Sequence, residues 1–596
     1  MKKKIKHFSR LMSLKYEEIA TLFLAPFVFF VLGQYAFGAN LLGYRFGEVF
    51  ANYCIIAAFL YILLIITNHI KSSVLICGLL SFGFSLANTY IYAFRGSPIL
   101  PWDIASIKTA LNVAGGYHFF LNSHIVLSSL LFIAYLLITF KILPNRHILT
   151  KISLYPRISF ALCLVIVVSF VTSPTKLEAM GVSYYAWKQG NAYRDHGIVA
   201  EFLLNMQFMK AEEPEGYSKE AAKAILDDET SHVIIENPDA PDKPNIIAIM
   251  NESWTDFEEY GNITLSEPVM ENIKGLDNAI FGRAYSSVIG GGTSQIEYEF
   301  LSGNTQTFLS SGAVPYQQYI KSETPSFVWH LKELGYDTLA FHPYYGNGWN
   351  RNKVYSLIGF DDFISIENMH TTPVYGNQDF CIDSVNYDEL FYLYENRDED
   401  SPLFLFNVTM QNHGGYDTFE RHDVQVLGHE GEFPKAEFYL SYINETDEAF
   451  MKVVDYFSKV DEPTIVIMYG DHQPWVEDEF VNLAMGVEDT NNAEEVINKY
   501  RVPYVIWANF ELPDVEFEDT SINFLMQKVF GLAGIETNDY GNFLNKVQES
   551  LSSLSLGGYF DKEGNFYTYE EESPYEKLIA EYKILQYANI FDNQDE

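Results

Sequence analysis

Five short apolar runs in the carboxyl-terminal part of this sequence lead into residues able to hold a divalent cation or take part in phosphoryl chemistry. Asn245–Met250 leads to Glu252, and Phe281–Ile289 leads through Gly290, Gly291 and Gly292 to Thr293. Asp337–His342 ends on His342, Pro402–Met410 runs on to His413, and Thr464–Gly470 is followed directly by Asp471 and His472. Two carboxylates, one imidazole and one hydroxyl offer hard oxygen donors with a single nitrogen. That mixture suits Mn²⁺ or Mg²⁺ and is also compatible with Zn²⁺, whereas the lack of a thiolate argues against a structural zinc site. A threonine hydroxyl is a poor nucleophile at neutral pH, and coordination to a divalent cation lowers its pKa. Glycines let the backbone approach an anion closely, and free amides at a helix amino terminus favour phosphate. Glycines also make ordinary turns and threonine caps ordinary helices, so the case for chemistry rests on the five strand ends taken together.

The elements that would position these residues are legible in the same stretch. From Lys243 onward, near-continuous apolar runs alternate with helical segments, as expected of buried strands in a mostly parallel sheet. In open α/β sheets ligands gather beyond the carboxyl ends of the strands, where Glu252, Thr293, His342, His413, Asp471 and His472 are expected. The predicted catalytic domain spans 243–540. The end of the chain, 541–596, reads as a hairpin-like segment and a helix packing back on that domain, with an acidic tip.

The first part of the chain has a different character. The 596 residues carry a net charge of −39, but residues 1–173 hold fourteen Lys or Arg against four Asp or Glu, and the remainder holds 25 against 74. Five apolar runs near residues 19–37, 49–67, 74–94, 124–143 and 155–172 are each long enough to cross a bilayer. The three loops on one side carry eleven Lys or Arg and the two on the other carry three, which places the amino terminus in the cytoplasm and the chain beyond residue 173 outside. Residues 174–242 read as a connector with an amphipathic helix near the membrane surface. Of four cysteines only Cys381 lies in the outer part, so no disulfide forms within it, as suits a bacterial cell membrane protein. So acidic a domain excludes nucleic acid as a partner.

The motifs "NESWTDF", "GGTSQIEYEFLSG", "GWNRNKVYSLIGFDDF", "TMQNHGGY" and "YGDHQPW", behind five amino-terminal spans, resemble those of the lipoteichoic acid synthase family of membrane phosphoglycerol transferases. The resemblance implies an alkaline phosphatase or sulfatase-like extracellular domain. It implies Glu252, Thr293, Asp471 and His472 as ligands of Mn²⁺, with Thr293 as nucleophile, and His342, Trp349, Arg351 and His413 as substrate-binding residues. In those roles Arg351 presents a planar fork to two phosphate oxygens, Trp349 walls the glycerol moiety, and His413 stabilises phosphoryl oxygens or protonates the leaving alcohol. The implied donor is phosphatidylglycerol, and the implied acceptor is a glycolipid, a teichoic acid chain or a wall polysaccharide.

Four positions depart from the family pattern: Gly292 stands where Lys is frequent, Gln295 and Tyr344 where acids are frequent, and Gly348 where Phe is frequent. They surround the expected glycerol pocket and leave the acceptor open. A phosphoethanolamine transferase would share the spans, the threonine and the metal, but such enzymes carry several disulfides in the outer domain. "GGTSQIE" lacks the context from which a true sulfatase makes formylglycine. A catalytically silent sensor or scaffold is the non-enzymatic alternative.

Overall fold

The computed structural model describes residues 15–95, 98–104, 121–145, 173–183, 189–209, 211–227 and 236–592, apart from 311, 377–378, 398–399, 417–422, 488–492, 516 and 518, together with isolated positions within 162–169. It divides into two compact units, the first ending at Lys210 and the second continuing from Ala211 to the carboxyl terminus.

Among the described residues of the first unit, four helices are long and apolar enough to cross a membrane: Tyr16–Ala36, Phe46–Thr67, Ile70–Arg95 and Ser123–Ile142. They coincide with the first four predicted spans. The fifth, 155–172, lies almost entirely outside the described residues. Side chains such as Phe23, Leu24, Leu79, Leu130 and Leu137 are exposed on these helices, an arrangement that suits lipid and would be costly in water. By length and composition these apolar helices suggest membrane anchoring. The connector helix Ile198–Asn205 spends its apolar face on protein, with Ala200 and Leu204 packing with Ala51 and Ile55 of the second long helix. Asn52 secures that contact by donating to the His196 carbonyl at 2.7 Å and accepting from the Ala200 amide at 3.1 Å.

The second unit is built on an eight-stranded mixed sheet. Its strands are β1 (Asn245–Asn251), β2 (Ala279–Tyr285), β3 (Asp337–His342), β4 (Asp362–Ser365), β5 (Leu403–Val408), β6 (Thr464–Gly470), β7 (Arg501–Ala508) and β8 (Thr520–Ser521), in the order β4-β3-β5-β1-β6-β7-β2-β8. β4, β3, β5, β1 and β6 run parallel, β7 runs against both β6 and β2, and β8 pairs parallel with β2. Residues of β1 alternate between two apolar cores, Ile246, Ala248 and Met250 facing one and Ile247 and Ile249 the other. Burial on both faces is why these strands read as continuous apolar runs. A small antiparallel sheet, β9 (Leu551–Ser555), β10 (Gly558–Asp561) and β11 (Phe566–Tyr567), precedes the terminal helix Glu576–Phe591. From that helix Tyr582 donates to the Gly303 carbonyl at 2.6 Å and Gln586 to that of Thr305 at 2.9 Å. The terminal segment thereby fixes the far end of the helix that starts at Thr293.

Candidate metal centre and phosphoryl-transfer site

The segment following β2 delivers Thr293 to the first position of the helix Thr293–Ser302. Gly290, Gly291 and Gly292 have φ of +67°, +148° and +105°, a path that side-chain-bearing residues rarely take. The loop is fastened to the segment after β6: the Gly290 amide donates to the Gln473 carbonyl at 2.9 Å, and Ile289 forms a β-bridge with Gln473. One contact thus holds the glycine turn beside Asp471 and His472. A side chain at Gly292 would collide with Oε1 of Gln295, whose amide is itself tied to the Ala313 carbonyl at 2.8 Å. Two of the departures from the family pattern, Gly292 and Gln295, are therefore a matched pair.

Glu252, Asp471 and His472 are buried, and one ligand atom from each lies within 4.8 Å of the others. Thr293 Oγ1 joins them, 3.4 Å from Glu252 Oε2. Asp471 uses Oδ1 to accept from the backbone amides of Ser253 at 2.7 Å and His472 at 2.8 Å, while its Oδ2 has no hydrogen-bond partner. His472 Nδ1 pairs with the Gln473 carbonyl at 3.0 Å, so its proton sits there and Nε2 keeps a lone pair. That Nε2 is unpartnered, 3.3 Å from Asp471 Oδ2 and 3.7 Å from Glu252 Oε1. Buried acceptors facing one another without a donor between them are costly unless a cation sits among them. Glu252 registers that conflict: burial, with Asp471 beside it, holds its carboxyl well above the usual carboxylate range. The donor set therefore fits a divalent metal ion. Ser253, immediately after Glu252, takes the left-handed conformation at φ +53° and donates from Oγ to Glu252 Oε1 at 3.1 Å, a strained turn of the kind retained at functional sites.

The other predicted residues approach the same region. His342 ends β3, with Nδ1 against the Val408 carbonyl at 3.0 Å. Burial, with the nearby Arg351 charge, pushes His342 well below the usual imidazole range. His413 is pushed down to about 4 by burial, with a smaller contribution from His472. Both imidazoles are accordingly neutral at neutral pH. Arg351 is buried and forms an ion pair with Glu297, Nε at 2.9 Å and Nη2 at 2.5 Å from the same oxygen, and Tyr355 donates to the other oxygen at 2.8 Å. Glu297 stands one turn after Thr293 on the same helix, so the helix that begins at Thr293 also aims the guanidinium. Trp349 and Asn350 adopt φ of +53° and +68° in the turn that sets up Arg351, a second strained segment beside the site.

Sequence reasoning missed Glu297, Glu299 and the polar support behind the site. Glu299 takes three hydrogen bonds on one oxygen, from Ser287 Oγ (2.7 Å), Thr305 Oγ1 (3.0 Å) and the Gln306 amide (2.7 Å), and burial raises its carboxyl to about 7. Asn251 and Thr446 both donate to Asp383, while Asn412 donates to Asn251 and Thr446, which locks the turns that carry Glu252 and His413 together. Spacing from Thr293 could have flagged Glu297, because residues four apart share a helix face. Nothing local marks Asp383.

Residues 244–535 match the family described as Sulfatase. A putative cyclic beta-1,2-glucan modification protein of Rhizobium meliloti is 29% identical over 420 residues, covering 68% of this chain and 63% of that protein. The capsular polysaccharide biosynthesis protein RkpI of the same organism is 25% identical over 41% of this chain and 43% of its own length. The chain thus spans less than two thirds of the length of these curated relatives. The solved structure of the Streptococcus pyogenes phosphoglycerol transferase GacH, in complex with sn-glycerol-1-phosphate, shares the fold with a TM-score of 0.51 and 20% identity, over 63% of this chain and 94% of that one. The second unit is an alkaline phosphatase/sulfatase-like domain in its mixed, mostly parallel sheet and in its match to the Sulfatase model, and in the sequence it follows the apolar helices.

Proposed function

We propose that this membrane-anchored chain, with its sulfatase-family domain, transfers the glycerol phosphate headgroup of phosphatidylglycerol to an envelope polymer through a covalent intermediate on Thr293. The observation that carries this reading is the Thr293 hydroxyl at a helix amino terminus, 3.4 Å from Glu252 and beside the unpartnered ligand atoms of Asp471 and His472. Glu252, Thr293, Asp471 and His472 would hold the cation, with Mn²⁺ the expected ion and Mg²⁺ or Zn²⁺ the alternatives. Bound there, it would supply Lewis acidity that lowers the pKa of the hydroxyl and offsets phosphoryl charge.

In the first displacement Thr293 Oγ1 forms a bond to phosphorus while the bond from phosphorus to the diacylglycerol oxygen breaks. The proton lost by the threonine is matched by the one the departing diacylglycerol takes up. In the second, an acceptor hydroxyl attacks phosphorus, the bond to Thr293 breaks, and the acceptor's proton restores the threonine. The helix amino-terminal amides and Arg351 bind the phosphoryl oxygens, with Glu297 holding the guanidinium in place. His342, buried, and His413, half-buried, both neutral, position substrate hydroxyls and take or return a proton. Trp349 bounds the glycerol pocket.

A lipid donor is consistent with the membrane helices, and the charge bias of the loops supports an extracellular catalytic unit with the amino terminus in the cytoplasm. The relatives named for glucan modification and capsular polysaccharide biosynthesis favour a polysaccharide among the candidate acceptors. The test supplies the full chain in detergent with Mn²⁺ and a fluorescent phosphatidylglycerol or phosphatidylethanolamine. Labelled diacylglycerol should come from phosphatidylglycerol. Preference for phosphatidylethanolamine would reassign the protein to the phosphoethanolamine transferases, and turnover of neither would favour a silent sensor.

A further inference from the structure

A continuous line of aromatic rings leads from the two substrate-set histidines to solvent. The His342 ring lies 6.3 Å from Tyr344, Tyr344 lies 5.9 Å from Phe380, and Phe380 lies 4.9 Å from His413. On the outer side Tyr345 meets Tyr344 edge-on at 5.0 Å and is 46% exposed. Tyr375, half exposed, stands on the strip that pairs with Cys381, next to Phe380. The rings meet edge-on, with Phe380 buried behind Tyr344, and the part of this aromatic shelf open to a ligand is Tyr344, Tyr345 and Tyr375, with His342 at its inner end.

We propose that this shelf is the acceptor subsite and that it takes a neutral glycan, with Tyr345 as the outermost specificity-determining contact. The inference deepens the transferase reading above and rests on it. A pyranose presents an apolar face of C–H bonds and a rim of hydroxyls. Tyrosine and phenylalanine rings receive such a face, and the tyrosine hydroxyl reaches the rim. The alternative acceptor, a growing polyglycerophosphate chain, has no flat apolar face and carries one negative charge per unit. It would approach a domain in a part of the chain holding 74 acidic against 25 basic residues, and like-charge approach slows encounter and weakens binding. An uncharged saccharide pays no such cost. With its terminal ring on Tyr344 and Tyr345, a rim hydroxyl would lie on the side of His342, the imidazole next to Tyr344.

The test measures binding separately from turnover. The full chain in detergent, without donor lipid, is titrated with a neutral β-linked glucose oligosaccharide and, in parallel, with a glycerophosphate oligomer of similar length. The wild type should bind the saccharide in preference, Tyr345→Ala should weaken that binding at least tenfold, and Tyr345→Trp should retain it. Because Tyr345 is exposed, its truncation leaves the fold intact, and the melting curve of Tyr345→Ala should overlay that of wild type. Equal saccharide binding by wild type and Tyr345→Ala, or preference for the glycerophosphate oligomer, would overturn the proposal. If the saccharide binds as expected while phosphatidylglycerol is not cleaved, the donor assignment fails and the glycan subsite stands.

Discussion

Gly292→Ala isolates the contribution of the glycine turn to placing Thr293, the proposed nucleophile. At φ +105° and ψ +24° a β-carbon is strained, which costs about 1–2 kcal/mol. It would also meet Gln295 Oε1 and stand 3.0 Å from Val288, so the Gln295 side chain must move and its bond to the Ala313 carbonyl is lost. A buried hydrogen bond contributes about 1 kcal/mol, bringing the total near 2–3 kcal/mol. If that cost is met by shifting the loop, Thr293 moves with it, and a rate loss of about 30- to 100-fold is expected at about 1.4 kcal/mol per factor of ten. The assay is diacylglycerol release under saturating lipid for Gly292→Ala, Gln295→Ala and the double variant. Gln295→Ala removes the obstructing oxygen, so the double variant should recover about a factor of five over Gly292→Ala, a coupling of about 1 kcal/mol. Wild-type activity in Gly292→Ala, or strictly additive losses, would refute the matched-pair argument.

Asp471→Asn should abolish turnover and remove most of the thermal stabilisation that Mn²⁺ gives the wild type, about 2.7 kcal/mol at a hundredfold excess over the dissociation constant. Without cation the same variant should be as stable as wild type or more so, because the repulsion with Glu252 is relieved; thermal melts with and without Mn²⁺ check both. Glu299 keeps its proton to about 7 in the folded protein against 4.5 as its reference. Its contribution to stability is therefore complete below pH 4.5 and lost as pH rises to 7, an upper bound of about 3 kcal/mol. Glu299→Gln should match wild type at pH 4.5 and melt higher at pH 8, read by melting curves across that range. Arg351→Ala leaves Glu297 buried and unpaired, which should cost about 3–5 kcal/mol of stability, whereas Arg351→Lys should fold and lose more than tenfold in kcat/KM through loss of the planar fork.

The parts of this protein that obey a simple period were legible in its sequence. β1, β5 and β6 are buried on both faces and therefore appear as nearly unbroken apolar runs, β3 is half-buried at Asp337 and Leu339, and the residues at the carboxyl ends of all four identify themselves by position. Glu252, Asp471 and His472 come together because the two strands that lead to them, β1 and β6, are paired neighbours. β7 was not anticipated although it is as apolar as the rest. Pro503 interrupts its run, and proline argues against a central strand. The structure resolves the conflict by placing Pro503 one residue outside the ladder with β6, opposite Arg283 of β2. The ion pair of Arg351 with Glu297 was illegible for another reason: 54 residues separate the partners, and only the fold sets the turn of Trp349 and Asn350 against the helix of Thr293. The same holds for Asp383, whose role depends on three elements meeting behind the site.

The central claim is that Thr293 carries the glycerophosphoryl group between donor and acceptor. Intact-peptide mass spectrometry of the full chain, quenched after mixing with phosphatidylglycerol and Mn²⁺ in the absence of acceptor, tests it most directly. The account predicts a glycerophosphate increment on the peptide containing Thr293, absent from Thr293→Ala, which also releases no diacylglycerol. Undiminished diacylglycerol release by Thr293→Ala, or an increment on a different residue of the wild type, would contradict it.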